Sequence, residues 1–111
     1  SDDGGKTWTE PQMILEKDGG APPHLFMLSS GVLISTYGRR KMPYGIMLMV
    51  SIDNGETWEK DIRIYENAES DDIGYPTTVE LPNGDLITVF YATNSEEEPC
   101  VIMQQKWRMK R

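Results

Sequence analysis

The octapeptide Ser51-Ile52-Asp53-Asn54-Gly55-Glu56-Thr57-Trp58 has a close copy at the start of the sequence, Ser1-Asp2-Asp3-Gly4-Gly5-Lys6-Thr7-Trp8. Both copies follow the pattern Ser-x-Asp-x-Gly-x-Thr-Trp, and they lie fifty positions apart. Identity at five of eight positions, with glycine and tryptophan in register, indicates an internal repeat. A repeat of this period predicts a repeated unit of secondary structure. We call residues 1–8 the first octapeptide and residues 51–58 the second octapeptide.

The residue types of the octapeptide suit a tight turn that satisfies its own polar groups. An aspartate carboxylate accepts hydrogen bonds from backbone N–H groups of its turn, and serine and threonine hydroxyls also bond locally. The glycine permits a positive φ, and the tryptophan offers a large apolar face with one N–H group. We therefore predict two hairpin turns, each with its tryptophan folded under a sheet. Their structural residues are Ser1, Asp3, Gly5, Thr7 and Trp8 in the first copy, and Ser51, Asp53, Gly55, Thr57 and Trp58 in the second.

A second register supports the repeat and indicates an all-β fold. Residues Pro23, Leu28, Gly31, Leu33 and Ile34 lie fifty-three positions before Pro76, Leu81, Gly84, Leu86 and Ile87. Short apolar runs alternate with clusters of Gly, Pro, Asn and Asp, and no window of ten or more residues has a helical period. The predicted strands lie at 11–15, 24–28, 32–37, 46–50, 62–65, 76–81, 85–90 and 101–105.

Composition excludes several classes of function. The chain has 111 residues, enough for one small domain, and its net charge of −7 argues against binding to nucleic acid or to an anionic membrane surface. No apolar run is long enough to span a membrane. One histidine and one cysteine make no zinc site or intrachain disulfide, so we expect no metal and no cofactor. We expect Cys100 to be a small buried residue.

The octapeptide resembles the Asp box, or BNR repeat, of sialidases and related β-propellers. In that family the box forms the turn between the third and fourth strands of a four-stranded antiparallel blade. The resemblance implies that this chain supplies about two blades of a six-bladed sialidase-type β-propeller. The divisions are then a strand D over 9–15, a complete blade over 23–66 and a three-stranded partial blade over 75–108.

Two blades do not close a ring, since propellers have about four to eight blades. Two explanations remain open. The chain is a piece of a longer propeller, or three copies close a six-bladed homo-oligomeric ring in which each N-terminal strand completes the partial blade of a neighbour. The family resemblance also implies a secreted or periplasmic parent protein.

The resemblance points to a candidate site in the charged loops. Sialidases bind the sugar carboxylate with arginines and use a tyrosine nucleophile assisted by a glutamate, together with an aspartate acid/base. The segment Gly74-Tyr75-Pro76-Thr77, followed by a strand and a glycine turn, is similar to the segment that carries this tyrosine. Tyr75 and Asp72 are therefore the catalytic candidates. Arg39 and Arg40, which follow a strand before a box, are the substrate-binding candidates because guanidinium pairs well with carboxylate.

The sequence departs from the family at this site, because Pro76 replaces a serine and no glutamate partner for Tyr75 is identified. The resemblance implies a fragment of a sialidase-like glycoside hydrolase that acts on sialic-acid-type or related glycans. We expect the isolated chain to be inactive, since its catalytic set is incomplete. The alternatives are a non-catalytic propeller module that binds glycan or protein, and a two-blade structural unit that assembles with itself.

Overall fold

The computed structural model describes residues 1–15, 20–93 and 99–110, and within them the fold is all-β, as predicted. The strands form two antiparallel sheets, with strand orders β1-β2-β3-β4 and β5-β6-β7. We find no helix in the described part that is long and apolar enough to cross a membrane. The strands are β1 (Ala21–Met27), β2 (Leu33–Arg39), β3 (Gly45–Ser51), β4 (Glu59–Tyr65), β5 (Ile73–Glu80), β6 (Leu86–Ala92) and β7 (Val101–Trp107).

The first turn of each sheet has the same geometry. Between β1 and β2, Leu28 N donates to Val32 O at 2.9 Å and Gly31 N donates to Leu28 O at 2.9 Å. Between β5 and β6, the residues fifty-three positions later make the same two bonds. The φ of Gly31 is 89° and that of Gly84 is 86°, values that residues with a Cβ rarely adopt. A glycine at the repeat-equivalent position therefore permits the same turn in both sheets.

The two sheets pack face to face, with β5 lying against β1 and β2. One face of β6 is buried and the other is not, since Leu86, Thr88, Phe90 and Ala92 alternate with more exposed residues. Burying these apolar side chains stabilises the fold at roughly 25 cal/mol per Å² of apolar surface. Two apolar clusters join the sheets: Leu28, Ile34, Leu48, Val50 and Leu86 form one, and Ile46, Ile73, Phe90 and Ala92 form the other.

A chain of hydroxyl groups also crosses the interface between the sheets. The Thr36 and Thr78 hydroxyls lie 3.3 Å apart, and the Thr78 and Thr88 hydroxyls 2.8 Å apart. Trp107 Nε1 donates to Thr88 Oγ1 at 2.9 Å, and Thr78 N donates to His24 Nδ1 at 3.1 Å. Each hydroxyl of this chain therefore has a partner, which removes the cost of burying it unpaired.

The strand predicted over 9–15 is not formed, because these residues have no ladder partner in the structure. The strand that follows the second octapeptide, β4, pairs with β3, which precedes that octapeptide. No strand among the described residues plays the part of β3 for 9–15. Trp8 is correspondingly 77 % exposed, so the prediction that it folds under a sheet is wrong, whereas Trp58 is half-buried against Met47 and Met49.

Strand limits and one burial prediction also differ from expectation. β1 and β5 each begin three residues before the predicted strands 24–28 and 76–81, so that Pro22 and Pro23, which we interpreted as breakers, lie inside β1, and Pro76 lies inside β5. Both strands are edge strands, and their ladders are irregular at these prolines, between Ala21 and His24 and between Gly74 and Thr77, so the missing N–H groups are tolerated. Cys100 is exposed and precedes β7, so its predicted burial is wrong.

Candidate functional site

One corner of the interface between the sheets gathers charged and aromatic side chains. The end of β2 lies here, because β5 packs across β2, and the start of β5 and the end of β6 lie beside it. Gly74 pairs with Tyr91 in the ladder between β5 and β6. Arg40 follows β2 and Asp72 precedes β5, so chain segments far apart in sequence meet at this corner.

Arg40 lies in this corner and Arg39 does not. The Nε of Arg40 donates to the backbone oxygen of Ile73 at 3.1 Å, and its Nη2 donates to the Tyr91 hydroxyl at 3.1 Å. The Arg39 guanidinium turns back on its own loop, donating from Nε to Lys41 O at 3.2 Å and from Nη2 to Met42 O at 3.4 Å. Of the two arginines that the sequence left open, the structure brings only Arg40 to Asp72 and Tyr75.

Asp72 is held by two hydroxyl groups. The Tyr91 hydroxyl donates to Oδ1 at 2.8 Å, and the Thr93 hydroxyl donates to Oδ2 at 2.8 Å. The bond from Tyr91 and then that from Thr93 lower the pKa of Asp72, with a smaller contribution from the positive charge of Arg40. Burial and the bond to Asp72 raise the pKa of Tyr91. Asp72 is therefore a carboxylate at neutral pH, and Tyr91 is a neutral phenol that joins it to Arg40.

Tyr75 presents its ring to solvent at the edge of this cluster. Its side chain is 64 % exposed, and its ring centroid lies 5.8 Å from that of Tyr91 at an angle of 44°. Cζ of Arg40 lies 5.9 Å from the Tyr75 centroid, within the range of a cation–π contact. The φ of Tyr75 is 51°, in the left-handed region that bulky residues rarely adopt. Such a conformation persists only where the surrounding structure imposes it, and it occurs often at functional sites.

Tyr91 and Thr93 are members of the cluster that the sequence analysis missed. The predicted strand ended at Phe90, one residue before Tyr91, so Tyr91 was not considered. A signal was present in the second register, because Tyr91 lies fifty-three positions after Gly38, at the same strand end as the two arginines. Extending that register through the end of the strand would have put Tyr91 beside the candidate site.

The second octapeptide has the predicted self-bonded geometry. Gly55 N donates to Ser51 Oγ at 2.8 Å, Ser51 Oγ donates to Asp53 Oδ1 at 2.8 Å, and Thr57 N donates to the same oxygen at 2.8 Å. The Thr57 hydroxyl donates to Asp53 Oδ2, and Trp58 Nε1 donates to Gly55 O at 3.2 Å. The bonds from Thr57, and then that from Ser51, lower the pKa of Asp53 to about 2.

The first octapeptide repeats this geometry without a sheet beside it. Gly5 N donates to Ser1 Oγ at 2.8 Å, Thr7 N donates to Asp3 Oδ1 at 2.9 Å, and Trp8 Nε1 donates to Gly5 O at 3.2 Å. Bonds from Thr7 and then from Ser1 lower the pKa of Asp3 to about 2. Because the polar groups of both turns are engaged internally, the octapeptides have a structural role and are poor candidates for ligand binding.

Comparisons with protein-family models, with curated proteins and with solved structures gave no match to this chain. Across residues 1–15, 20–93 and 99–110, no three side chains of His, Cys, Asp or Glu converge as the ligands of a metal ion do. The corner formed by Arg40, Asp72, Tyr75, Tyr91 and Thr93 is therefore our candidate site, on its geometry alone.

Proposed function

We propose that this chain is part of a sialidase-like β-propeller, and that Arg40 and Tyr75 receive the carboxylate and ring of an acidic sugar. The observation that carries the proposal is a fixed arginine beside an exposed tyrosine ring. Two of the Arg40 nitrogens are held by Ile73 and Tyr91. Within the described residues its Nη1 makes no hydrogen bond, which leaves donors for a ligand.

The propeller assignment is supported by the repetition of sheets along the chain. Two meanders with the same first turn, offset by fifty-three residues, stack face to face in sequence order. Radial repetition of such sheets is the architecture of a β-propeller. The second octapeptide also joins the third and fourth strands of the first sheet, β3 and β4, as the Asp box does in that family.

The ligand class follows from the groups that the corner offers. A guanidinium pairs with a carboxylate through charge-assisted hydrogen bonds, and the negative charge of Asp72 is already compensated by Arg40 and two hydroxyls. The Tyr75 ring provides an apolar face beside that guanidinium. An acidic monosaccharide of the sialic-acid type combines these two features, a carboxylate on a ring with apolar faces.

The geometry bears differently on the two catalytic candidates. A general acid needs a pKa near the working pH, and the pKa of Asp72 is lowered, so we assign Asp72 to holding Tyr91 and Arg40 in place. Tyr75 keeps the nucleophile role that the family resemblance implies. Its hydroxyl has no hydrogen-bond partner among the described residues, so a base must come from elsewhere in a complete propeller.

Binding without hydrolysis is the second candidate function. The lowered pKa of Asp72 and the position of Pro76 after Tyr75 favour it, since both depart from the catalytic pattern. A non-catalytic module would use the same arginine and tyrosine to hold a glycan.

The proposal is tested by titrating the chain with free N-acetylneuraminic acid and following backbone amide shifts by NMR. We expect shifts at the corner residues, loss of binding in Arg40→Gln and unchanged binding in the matched control Arg39→Gln. No shift, or equal loss in both variants, contradicts the proposal. Hydrolysis of an aryl sialoside, measured in a longer protein that contains this chain and in its Tyr75→Phe variant, separates the enzyme from the binding module.

A further inference from the structure

The face of the second sheet that points away from the first sheet carries exposed apolar side chains. We call it the outer face. Val79, Val89 and Ile102 on it are 49 %, 37 % and 76 % exposed. Their neighbours in the ladder place them on one continuous surface, since Thr77 pairs with Val89 and Val79 with Ile87. The outer face consists of Thr77, Val79, Ile87, Val89 and Ile102, together with the polar residues Gln104 and Lys106, which pair with Val89 and Ile87.

The repeat shows what kind of surface the outer face is. A shift of fifty-three positions takes His24, Phe26, Ile34 and Thr36 onto Thr77, Val79, Ile87 and Val89. Those four residues of the first sheet are the ones that face the second sheet. Ile34 and Phe26 share an apolar cluster with Leu86, while Thr36 and His24 contact Thr78. The outer face is thus the repeat equivalent of a surface that a sheet already covers.

The complementary surface is also present and exposed. Thr78 and Glu80 reach from β5 to the first sheet, and their equivalents fifty-three positions earlier are Leu25 and Met27. Leu25 is 62 % exposed and Met27 is 54 % exposed, on the side of β1 that points away from β5. We call this pair of residues the β1 face. The chain therefore carries both halves of one interface, at opposite ends of its stack of sheets.

We infer that the outer face binds the β1 face of a second copy of this chain, which continues the contact between its own two sheets. The residue types at repeat-equivalent positions support a second copy as the binding partner. Within the chain Thr36 meets Thr78, and their equivalents Val89 and Leu25 are both apolar.

A second polar contact between the sheets, from Ser29 to Glu80, also has apolar residues at its repeat-equivalent positions. Within the chain the Ser29 hydroxyl donates to a Glu80 oxygen at 2.9 Å. The equivalents of these two residues are Pro82 and Met27, both apolar. These two polar pairs thus become apolar pairs on both sides at once, so neither of them leaves a buried polar side chain without a partner.

The association is heterologous, because two different surfaces meet, and it closes into a ring or continues as an open array. The same head-to-tail order puts residues 9–15 of the second copy next to the unpaired edge of β7. That edge provides the ladder partner that 9–15 lack within one chain. The inference depends on the repeat and on exposure, and it is independent of the glycan site.

Sedimentation velocity of the purified chain over a range of concentrations tests the inference. We expect the weight-average mass to rise with concentration, and we expect Leu25→Asp and Val89→Asp each to remove this rise. Both side chains are exposed, so the variants retain the fold, which circular dichroism checks. Ile52→Asp is the matched control, since Ile52 is 85 % exposed but lies on the second octapeptide, off both faces.

A mixing experiment distinguishes this mode from any symmetric dimer. Leu25→Asp keeps an intact outer face and Val89→Asp keeps an intact β1 face, so an equal mixture should form a one-to-one heterodimer and nothing larger. A chain that stays monomeric at every concentration overturns the inference. A mixture that stays monomeric, or an equal loss of association in Ile52→Asp, also overturns it.

Discussion

Replacing Thr88 by valine tests the hydroxyl chain that crosses the two sheets. Thr88 is fully buried, and its oxygen accepts from Trp107 Nε1 at 2.9 Å while lying 2.8 Å from the Thr78 hydroxyl. Valine has nearly the same shape as threonine and opens no cavity. The substitution therefore removes one hydrogen-bonding atom and leaves the packing unchanged.

The expected loss of stability follows from the hydrogen-bonding groups that remain after the substitution. The half-buried Trp107 N–H loses its acceptor, whereas the Thr78 hydroxyl keeps a partner in Thr36 at 3.3 Å. Leaving one buried donor unsatisfied costs about 1–3 kcal/mol, so we expect the free energy of unfolding to fall by about 2 kcal/mol. With a urea m-value of about 1–3 kcal/mol per molar, the midpoint of unfolding shifts by about 1 M.

Equilibrium urea unfolding, followed by tryptophan fluorescence and circular dichroism, measures the loss. The matched control is Thr77→Val, an exposed position on β5, for which we expect a change within about 0.5 kcal/mol. A double-mutant cycle with Trp107→Phe identifies the bond, because removing the donor should cost about 1–2 kcal/mol less when Thr88 is already valine. Equal effects of Thr88→Val and Thr77→Val, or an additive cycle, would refute the assigned role of the hydroxyl chain.

Three further predictions concern the second octapeptide, a glycine and the core. Because hydrogen bonds hold the pKa of Asp53 at about 2 against an ordinary 3.8, its contribution to stability is complete above pH 3.8 and is lost as the pH falls towards 2. Urea unfolding across this window should show a smaller pH dependence in Asp53→Asn than in the unmodified chain. Gly45→Ala should destabilise the fold, since a Cβ there overlaps the backbone oxygen of Tyr65; an unchanged urea midpoint would contradict that geometry. Phe90→Ala should cost about 3–5 kcal/mol, against less than about 1 kcal/mol for Val89→Ala on the same strand, and similar costs would contradict the assigned faces of β6.

The class of fold was predictable because turns are encoded locally. Gly31 and Gly84 sit at equivalent positions of two turns, and the apolar runs between such turns have no helical period. The strand ends were less predictable, since Pro22, Pro23 and Pro76 break most strands. Their tolerance depends on β1 and β5 being edge strands, and a residue's own neighbours in sequence do not report that.

Three members of the candidate site, Arg40, Asp72 and Tyr75, were predicted from the sequence, and the contacts between them were not. Two adjacent arginines were equivalent in the sequence, and only the packing of β5 against β2 turns Arg40 towards Asp72 and leaves Arg39 on its own loop. Tyr91 was missed because the predicted strand ended one residue before it, and its position opposite Gly74 in the ladder was therefore not considered. A site assembled from three strand ends is specified by register, which single-sequence patterns give only to within a few residues.

The two octapeptides separate what a short sequence determines from what its surroundings determine. Both make the same internal hydrogen bonds, and their aspartates have the same lowered pKa, so eight residues are enough to set the turn. Yet Trp8 is exposed and Trp58 is half-buried, because only the second turn has β3 and β4 on its two sides. The second octapeptide has a sheet beside it and the first octapeptide does not. What the first octapeptide lacks is therefore a neighbouring sheet that would bury its tryptophan. The exposed outer face at the opposite end of the stack also lacks a neighbouring sheet, and the head-to-tail contact that we infer between copies would supply one at both ends.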